Sequence, residues 1–466
     1  MMTDFEKIQH LYRRAGFGLS PVQWVEWRDK PFEHVLDALF AAEGRDDLLP
    51  LPEGTAAVER EAMTMRKRAM KDRDGEREIR KKGRLLGLQI ATDWMERMGT
   101  TDYPLLEKMS LFWHGHFACR AIFPRPAVGY LNAIRDHALG SFRELVLAIA
   151  SSQAMLRYLN NQQNRKNAPN ENFARELLEL FTIGRGNYTE QDIKEAARAF
   201  TGWRTNARGE FRFKPRQHDF GVKTFMGRSG KFNGDDIVDI ILEQPATAHF
   251  VAGKVYRYFV HPEGDEAHIR ELADIFYQSN YDIGVMMRHL FSADWMYESR
   301  NVGVRIKSPV ELIAGLMRTF YVEFEEWDGV MNVLRALGQE LLNPPNVAGW
   351  PGGEQWIDNA TLMLRLQLVG YLFKSAEVDI VAKALPETKQ ATSREIKVKV
   401  DLYPLLQIGK RDTPQEVYAA FKSWLLAVPP RVDTDLLRRF TDNSDQEQFA
   451  KTLAVRLLSL PEYQLC

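Results

Sequence analysis

The chain has 466 residues, 45% apolar and 27% charged, with 62 Lys and Arg against 63 Asp and Glu and a net charge of −1. That length buries a large core, as one big domain or two to three smaller ones, and the composition excludes a disordered or fibrous protein. Near-neutrality leaves no global field for nucleic acid or an anionic membrane, and two cysteines, Cys119 and Cys466, are too few for a disulfide framework or a cysteine-based zinc site.

The first residues lack a cationic start followed by an apolar run, so no secretory signal is read there. Arg13-Arg14 resembles a twin-arginine signal only in the pair itself, since Gln23, Glu26 and Arg28 interrupt the stretch where an apolar segment would be required; the two arginines are read as structural or ligand-directed. No run approaches the ~18 apolar residues that span a bilayer, and the expected compartment is the cytoplasm.

Helical periodicity then dominates. Helices are predicted over 21–40 and 55–98, the second with breaks at Gly75 and Gly83. Its 66–84 portion holds ten Lys and Arg against four Asp and Glu, read as a solvated face or as an arm for an anionic partner. The next helices fall at 103–117, 141–159 and from Pro169-Asn170 to 183, the last closed by Gly184. Thr189 with Asp192 is a capping box that starts a helix over 190–202. Aromatic- and glycine-rich sequence near 204–232 predicts one short β-hairpin or ordered loop. Helices resume at 235–242, 247–260, 266–279, 283–290, 309–321, 329–337 and 359–374. The expected architecture is mainly α, a multi-helix globular array. The main domain spans 1–375, a lysine-rich linker 376–396, and a small helical subdomain 397–466 packs on the first. LAIASSQAML, RHLFSADWMY and VRLLSLPEYQ repeat one theme, an apolar helix end, a serine, then an aromatic or Met.

Four polar clusters interrupt the helical pattern. In KMSLFWHGHF, His114 and His116 flank Gly115; they share a face, and so chelate a metal, only if Gly115 breaks the helix. The competing reading is a cap and a core histidine. In NAPNENFARELLELFTIG, Asn170 is an N-cap, Arg175 stands between Glu171 and Glu179 at i, i+4, i+8, and Glu176 faces another way with Asn172. Charges this dense on an apolar helix form an ion-pair network or a ligand or catalytic site. His218-Asp219, near Lys223, pairs an imidazole with a carboxylate able to orient it. The fourth cluster, NPPNVAGWPGGEQWIDNA, is an ordered loop that offers Asn346, Trp350 and Trp356 to a sugar or peptide, or merely pins itself with buried indoles. No phosphate loop, nucleophile elbow, CxxC or HExxH occurs; GRSGK at 227–231 has the wrong spacing.

Taken in order, HLYRRAGFG, FWHGHF, RDHALGSF, NENFARELLELFTIG, YTEQDIKEAARAFTGW, HDFGVKTFMG, RIKSPVEL and NPPNVAGWPGG resemble the bacterial family called domain of unknown function 1800, over residues 5–465. The resemblance implies a mainly helical protein and, as partner, a sulfatase-like protein encoded nearby. It implies no reaction. From the residues, the predicted site is a polar pocket for metal-assisted or acid–base hydrolysis of a polar substrate, such as a glycan. A divalent metal would sit on His114, His116 and His218. Glu171, Arg175, Glu176, Glu179 and Asp219 would act on substrate, and Arg13, Arg14, Asn170, Asn172, Asn346, Trp350 and Trp356 would bind it. The alternative is a non-enzymatic helical adaptor whose same residues form buried networks.

Overall fold

The computed structural model describes residues 2–41, 48–67, 73–206, 208–374, 377–380, 392–395, 398–401, 403–409 and 413–466. It is mainly α, with four short two-stranded antiparallel sheets among the described residues. No helix among them is long and apolar enough to cross a membrane.

Two helices occupy the centre. Pro104–His116 buries eleven of its thirteen residues and Pro309–Phe320 buries all twelve. A helix buried all round is normally apolar all round; these two carry Glu107, Lys108, Glu311 and Arg318, and each has hydrogen-bond partners. Glu107 accepts from the Trp94 indole at 2.8 Å and from Arg135 at 2.6 Å. Arg318 donates to the Thr101 carbonyl at 2.6 Å and to Gln23 at 2.9 Å. Lys108 and Glu311 form an ion pair that joins the two helices.

Local chemistry accounts for most element boundaries. Capping boxes at Thr3, Ser20, Thr189, Asn233, Ser308 and Thr413 each satisfy orphan N–H groups at a helix start. The single helix predicted over 21–40 is two, Pro21–Trp27 and Phe32–Phe40, because Pro31 cannot continue a helix and instead begins the next. The 141–159 helix divides at Ser152, which caps Gln153–Tyr158. Gly75 and Gly83 do not break their helix, which runs Arg73–Thr100. Gly83 and Gly87 serve packing instead: a Cβ at Gly87 would lie 2.2 Å from the Ile122 carbonyl oxygen. The three repeated LAIASSQAML-type segments share one geometry, a helix end followed by a short helical turn at Gln153–Tyr158, Asp294–Tyr297 and Pro461–Gln464.

The region near 204–232 holds two hairpins rather than one, Trp203–Thr205 with Phe211–Phe213 and Lys223–Phe225 with Arg228–Gly230. Of the expected linker over 376–396, residues 376, 381–391 and 396 lie outside the described residues; Glu377–Ile380 and Thr392–Glu395 pair as antiparallel strands. The basic 66–84 stretch is likewise described only in part. Its Arg77 and Arg80 meet Asp74 and Glu76 in exposed ion pairs, and Arg77, Arg80 and Arg84 line a groove of about 570 Å³ with Arg120 and Arg335. Residues 305–307 pair antiparallel with 464–466, and the Trp424 indole donates to the Leu19 carbonyl at 3.0 Å, so both chain ends are tied to the centre.

Candidate functional site

A cleft of about 870 Å³ opens beside the end of the 104–116 helix. One wall is the loop bearing Trp350 and Trp356, another is the helix Pro245–Phe259 with Lys254, Arg257 and Tyr258, and the third is the extended segment with Arg305 and Ser308. Phe112, Gly115 and His116 form its floor. Three cations face two carboxylates, Glu263 and Glu354, across an aromatic surface.

Gly115 lies inside the Pro104–His116 helix, not at a break. His114 and His116 therefore point to nearly opposite sides. His114 is stacked against Trp350, ring centroids 4.9 Å apart at 19°, and its Nε2 accepts from the Leu342 N–H at 3.2 Å. That bond makes Nε2 the bare nitrogen, and burial pulls the imidazole down to about 3. His116 packs against Phe112 and Phe181, and its Nε2 donates to the Phe181 carbonyl at 2.9 Å. Burial, then nearby Lys254, holds His116 well below the ordinary imidazole range, so it is neutral with a bare Nδ1. A Cβ at Gly115 would meet nothing within 4 Å. Gly115→Ala is therefore expected to stabilise the protein by about 0.5–1 kcal/mol in urea unfolding, the gain for a helix interior; a helix broken at this glycine would instead lose stability.

The second cluster reaches the cleft by its backbone. Asn172–Glu176 is α-helical, but Leu177–Thr182 is a π-helix. Widened turns release carbonyls from the i→i−4 ladder, and two of them are taken by cleft residues: Phe181 O by His116, and Leu180 O by the Lys254 ammonium at 2.8 Å. Burial lowers the Lys254 amine to about 8. The side chains of this cluster turn elsewhere. Arg175 pairs with Glu190 at 2.8 Å and Glu171 at 3.2 Å, while Glu179 pairs with Arg185 instead of Arg175. The extra residue in the π turn rotates Glu179 off the 171–175 line, so the predicted clamp of two carboxylates around Arg175 does not form. Burial, then Glu179, raises the half-buried Glu176 carboxyl. The predicted N-cap at Asn170 is displaced by one residue: Glu171 occupies the cap position of Asn172–Glu176 without a side-chain cap bond, and Asn170 before it accepts from the Asn172 N–H at 3.1 Å.

The third cluster is a separate network. Asp219 accepts from Arg198 at 2.7 Å, which holds its carboxyl below the usual range, and the Lys223 ammonium donates to the Asp219 carbonyl at 2.6 Å. His218 is set between Phe213 and Phe220, with Nδ1 2.8 Å from the Thr201 carbonyl. Among the described residues no three His, Cys, Asp or Glu side chains gather as a metal-binding group, so His114, His116 and His218 do not form one ligand set there.

Of the remaining predicted residues, Trp350 and Trp356 line the cleft, and Asn346 shapes its loop by accepting from the Ala348 N–H at 2.8 Å. Arg13 and Arg14 lie away from it: Arg13 donates to the Ser423 and Trp424 carbonyls, and Arg14 is fully buried against the Asn301 carbonyl at 2.5 Å. The sequence reading missed Lys254, Arg257, Tyr258 and Arg305. Only Arg305, within RIKSPVEL, stood in a motif already singled out.

Fold and site thus define a large helical protein with an aromatic, cation-walled cleft. The chain belongs to the family described as protein of unknown function DUF1800, whose model matches residues 10–465. No curated protein and no solved structure matches the chain.

Proposed function

We propose that the protein binds an acidic, ring-bearing polar ligand in this cleft, an acidic glycan being the class that suits it. The observation that carries this reading is the union of Lys254, Arg257 and Arg305 with the Trp350 indole around one open space large enough for a sugar unit; Trp356, also in the lining, is only 5% exposed. Indoles offer flat apolar faces to a ring, and cations select carboxylate or sulfate substituents. The sulfatase-like partner implied by the family resemblance would act on ligands of the same chemistry.

Hydrolysis is a second reading, favoured by one observation. His116 is oriented through Nε2 by a carbonyl while its neutral, buried Nδ1 keeps a lone pair, which would serve as a base only where a substrate atom reaches it from the cleft. The carboxylates first assigned to such chemistry, Glu171, Glu179 and Asp219, are each engaged by an arginine, so the acid would come from Glu263 or Glu354 in the cleft wall.

Titration of the full chain with sulfated and neutral oligosaccharides, monitored by indole fluorescence, tests the binding reading. Sulfated ligands are expected to bind, more weakly as salt rises. Trp350→Ala and Arg257→Ala should each lower affinity about tenfold, the value of one stacked ring or one charged contact. Equal affinity for neutral and sulfated ligands, or no response from either, overturns it.

A further inference from the structure

A second, smaller cavity of about 30 Å³ lies under the N-terminal helix and shares the 304–308 segment with the cleft. Room of this size admits one or two water-sized species. Arg13, Lys108 and Lys307 line it, along with Glu311. Three further cations lie beside them, Arg14 and Arg365 buried and Arg305 partly exposed to the cleft. Arg305 lies 3.7 Å from Glu311, Arg365 donates to the Lys307 carbonyl at 3.0 Å, and Arg14 feels both Arg305 and Glu311.

Among the described residues, then, six cations, with Arg14, Lys108 and Arg365 buried and Arg13, Arg305 and Lys307 partly so, share one neighbourhood with the Glu311 carboxylate. Lys108 is already spent on Glu311. Carbonyls solvate Arg13, Arg14, Arg365 and Lys307, as Tyr463 O does for the Lys307 ammonium at 2.7 Å, but carbonyls carry no net charge. Arg14 Nε and Nη1, and Arg365 Nε and Nη2, are buried donors without a hydrogen-bond partner among the described residues. Buried charge persists only when paired. The alternative, discharge of the cations, is open to lysine and closed to the four arginines. Burial supports this division: it brings Lys307 down to about 7, whereas Arg13, Arg14 and Arg365, at about 10, remain charged at neutral pH.

We infer that this cavity is a binding site for a small inorganic anion of chloride size, held by Lys307 and Arg13 with Lys108 beside them. Bound there, the anion supplies the countercharge that links the N-terminal helix, the central helices and the 464–466 segment.

The test uses the intact chain with sodium gluconate, too large an anion for the space, as the reference salt. Replacing gluconate by chloride at constant ionic strength is expected to raise the melting temperature along a saturating curve. The chloride-35 resonance of a sodium chloride solution should broaden on adding protein and narrow again when bromide competes. Lys307→Met should lose the saturating part of the melting response. A melting temperature that tracks ionic strength whatever the anion, or a chloride linewidth that the protein leaves unchanged, overturns the proposal; the linewidth decides it even if the variant does not fold.

Discussion

Glu311→Gln is expected to lose roughly 3–5 kcal/mol in urea unfolding, the cost of leaving one partner of a buried ion pair unanswered. Glu311 is only 3% exposed, accepts from the Ser308 N–H at 2.7 Å and faces both Lys108 and Arg305. The glutamine keeps the shape and the cap but strands two cations in the core. Since domains are stable by only about 5–15 kcal/mol, the variant should be near the edge of folding. Lys108→Met combined with Glu311→Leu should recover part of the loss, because an apolar pair strands less charge. Acidity reports the same contact. Burial alone pushes the Glu311 carboxyl up, but Lys108 and Arg305 outweigh it and hold the group far below the usual carboxylate range. A depressed carboxyl stabilises the fold above its unfolded value of about 4.3 and surrenders that contribution as pH falls below it. The wild-type advantage over Glu311→Gln should therefore be constant near neutrality and shrink below about pH 4. An advantage that grows in acid removes the ion pair from the account.

Gly349→Ala should release the tryptophan-bearing loop from the cleft. Gly349 has φ +87°, and a Cβ there would stand 2.5 Å from the Gly115 carbonyl oxygen. The strained backbone alone costs about 1–3 kcal/mol, and the clash is with backbone at the helix end, which has no rotamer to yield. Stability should fall by at least that amount, and the Trp350–His114 stack should open, seen as a shift in indole emission. Affinity for an acidic oligosaccharide should fall with it. Gly352→Ala is the control: its Cβ meets nothing within 4 Å and its φ is not positive, so it should change neither reading by more than about 0.5 kcal/mol. If both alanines behave alike, the close approach of Gly349 to Gly115 is not what seats the loop.

The loop and the histidines illustrate how far the residues alone could be read. That NPPNVAGWPGG is a shaped loop is evident from its prolines and glycines. Its destination is set by Leu342 donating to His114, 228 residues earlier in the chain, and by Gly349 against Gly115. Whether Gly115 broke the helix was undecidable locally, because one glycine costs a helix only about 1 kcal/mol and burial of eleven neighbouring positions outweighs it. The π turn at Leu177–Thr182 had no local signature either, and it alone separated Glu179 from Arg175. Lys108 and Glu311 did leave a trace, each among the few charges on an otherwise apolar helix, but a trace of burial and not of partner.

What the amino-acid order determined by itself was everything governed by neighbours within a turn or two. This includes the helical class, capping boxes such as Thr189 with Asp192, the closing Gly184 and the stop at Pro31, which depend on adjacent N–H groups and local sterics. Only tertiary structure decided which charges meet. Lys254, Arg305 and Trp350 reach one cleft, and five cations gather around Glu311, because long-range burial removes water from groups whose separation along the chain encodes no distance.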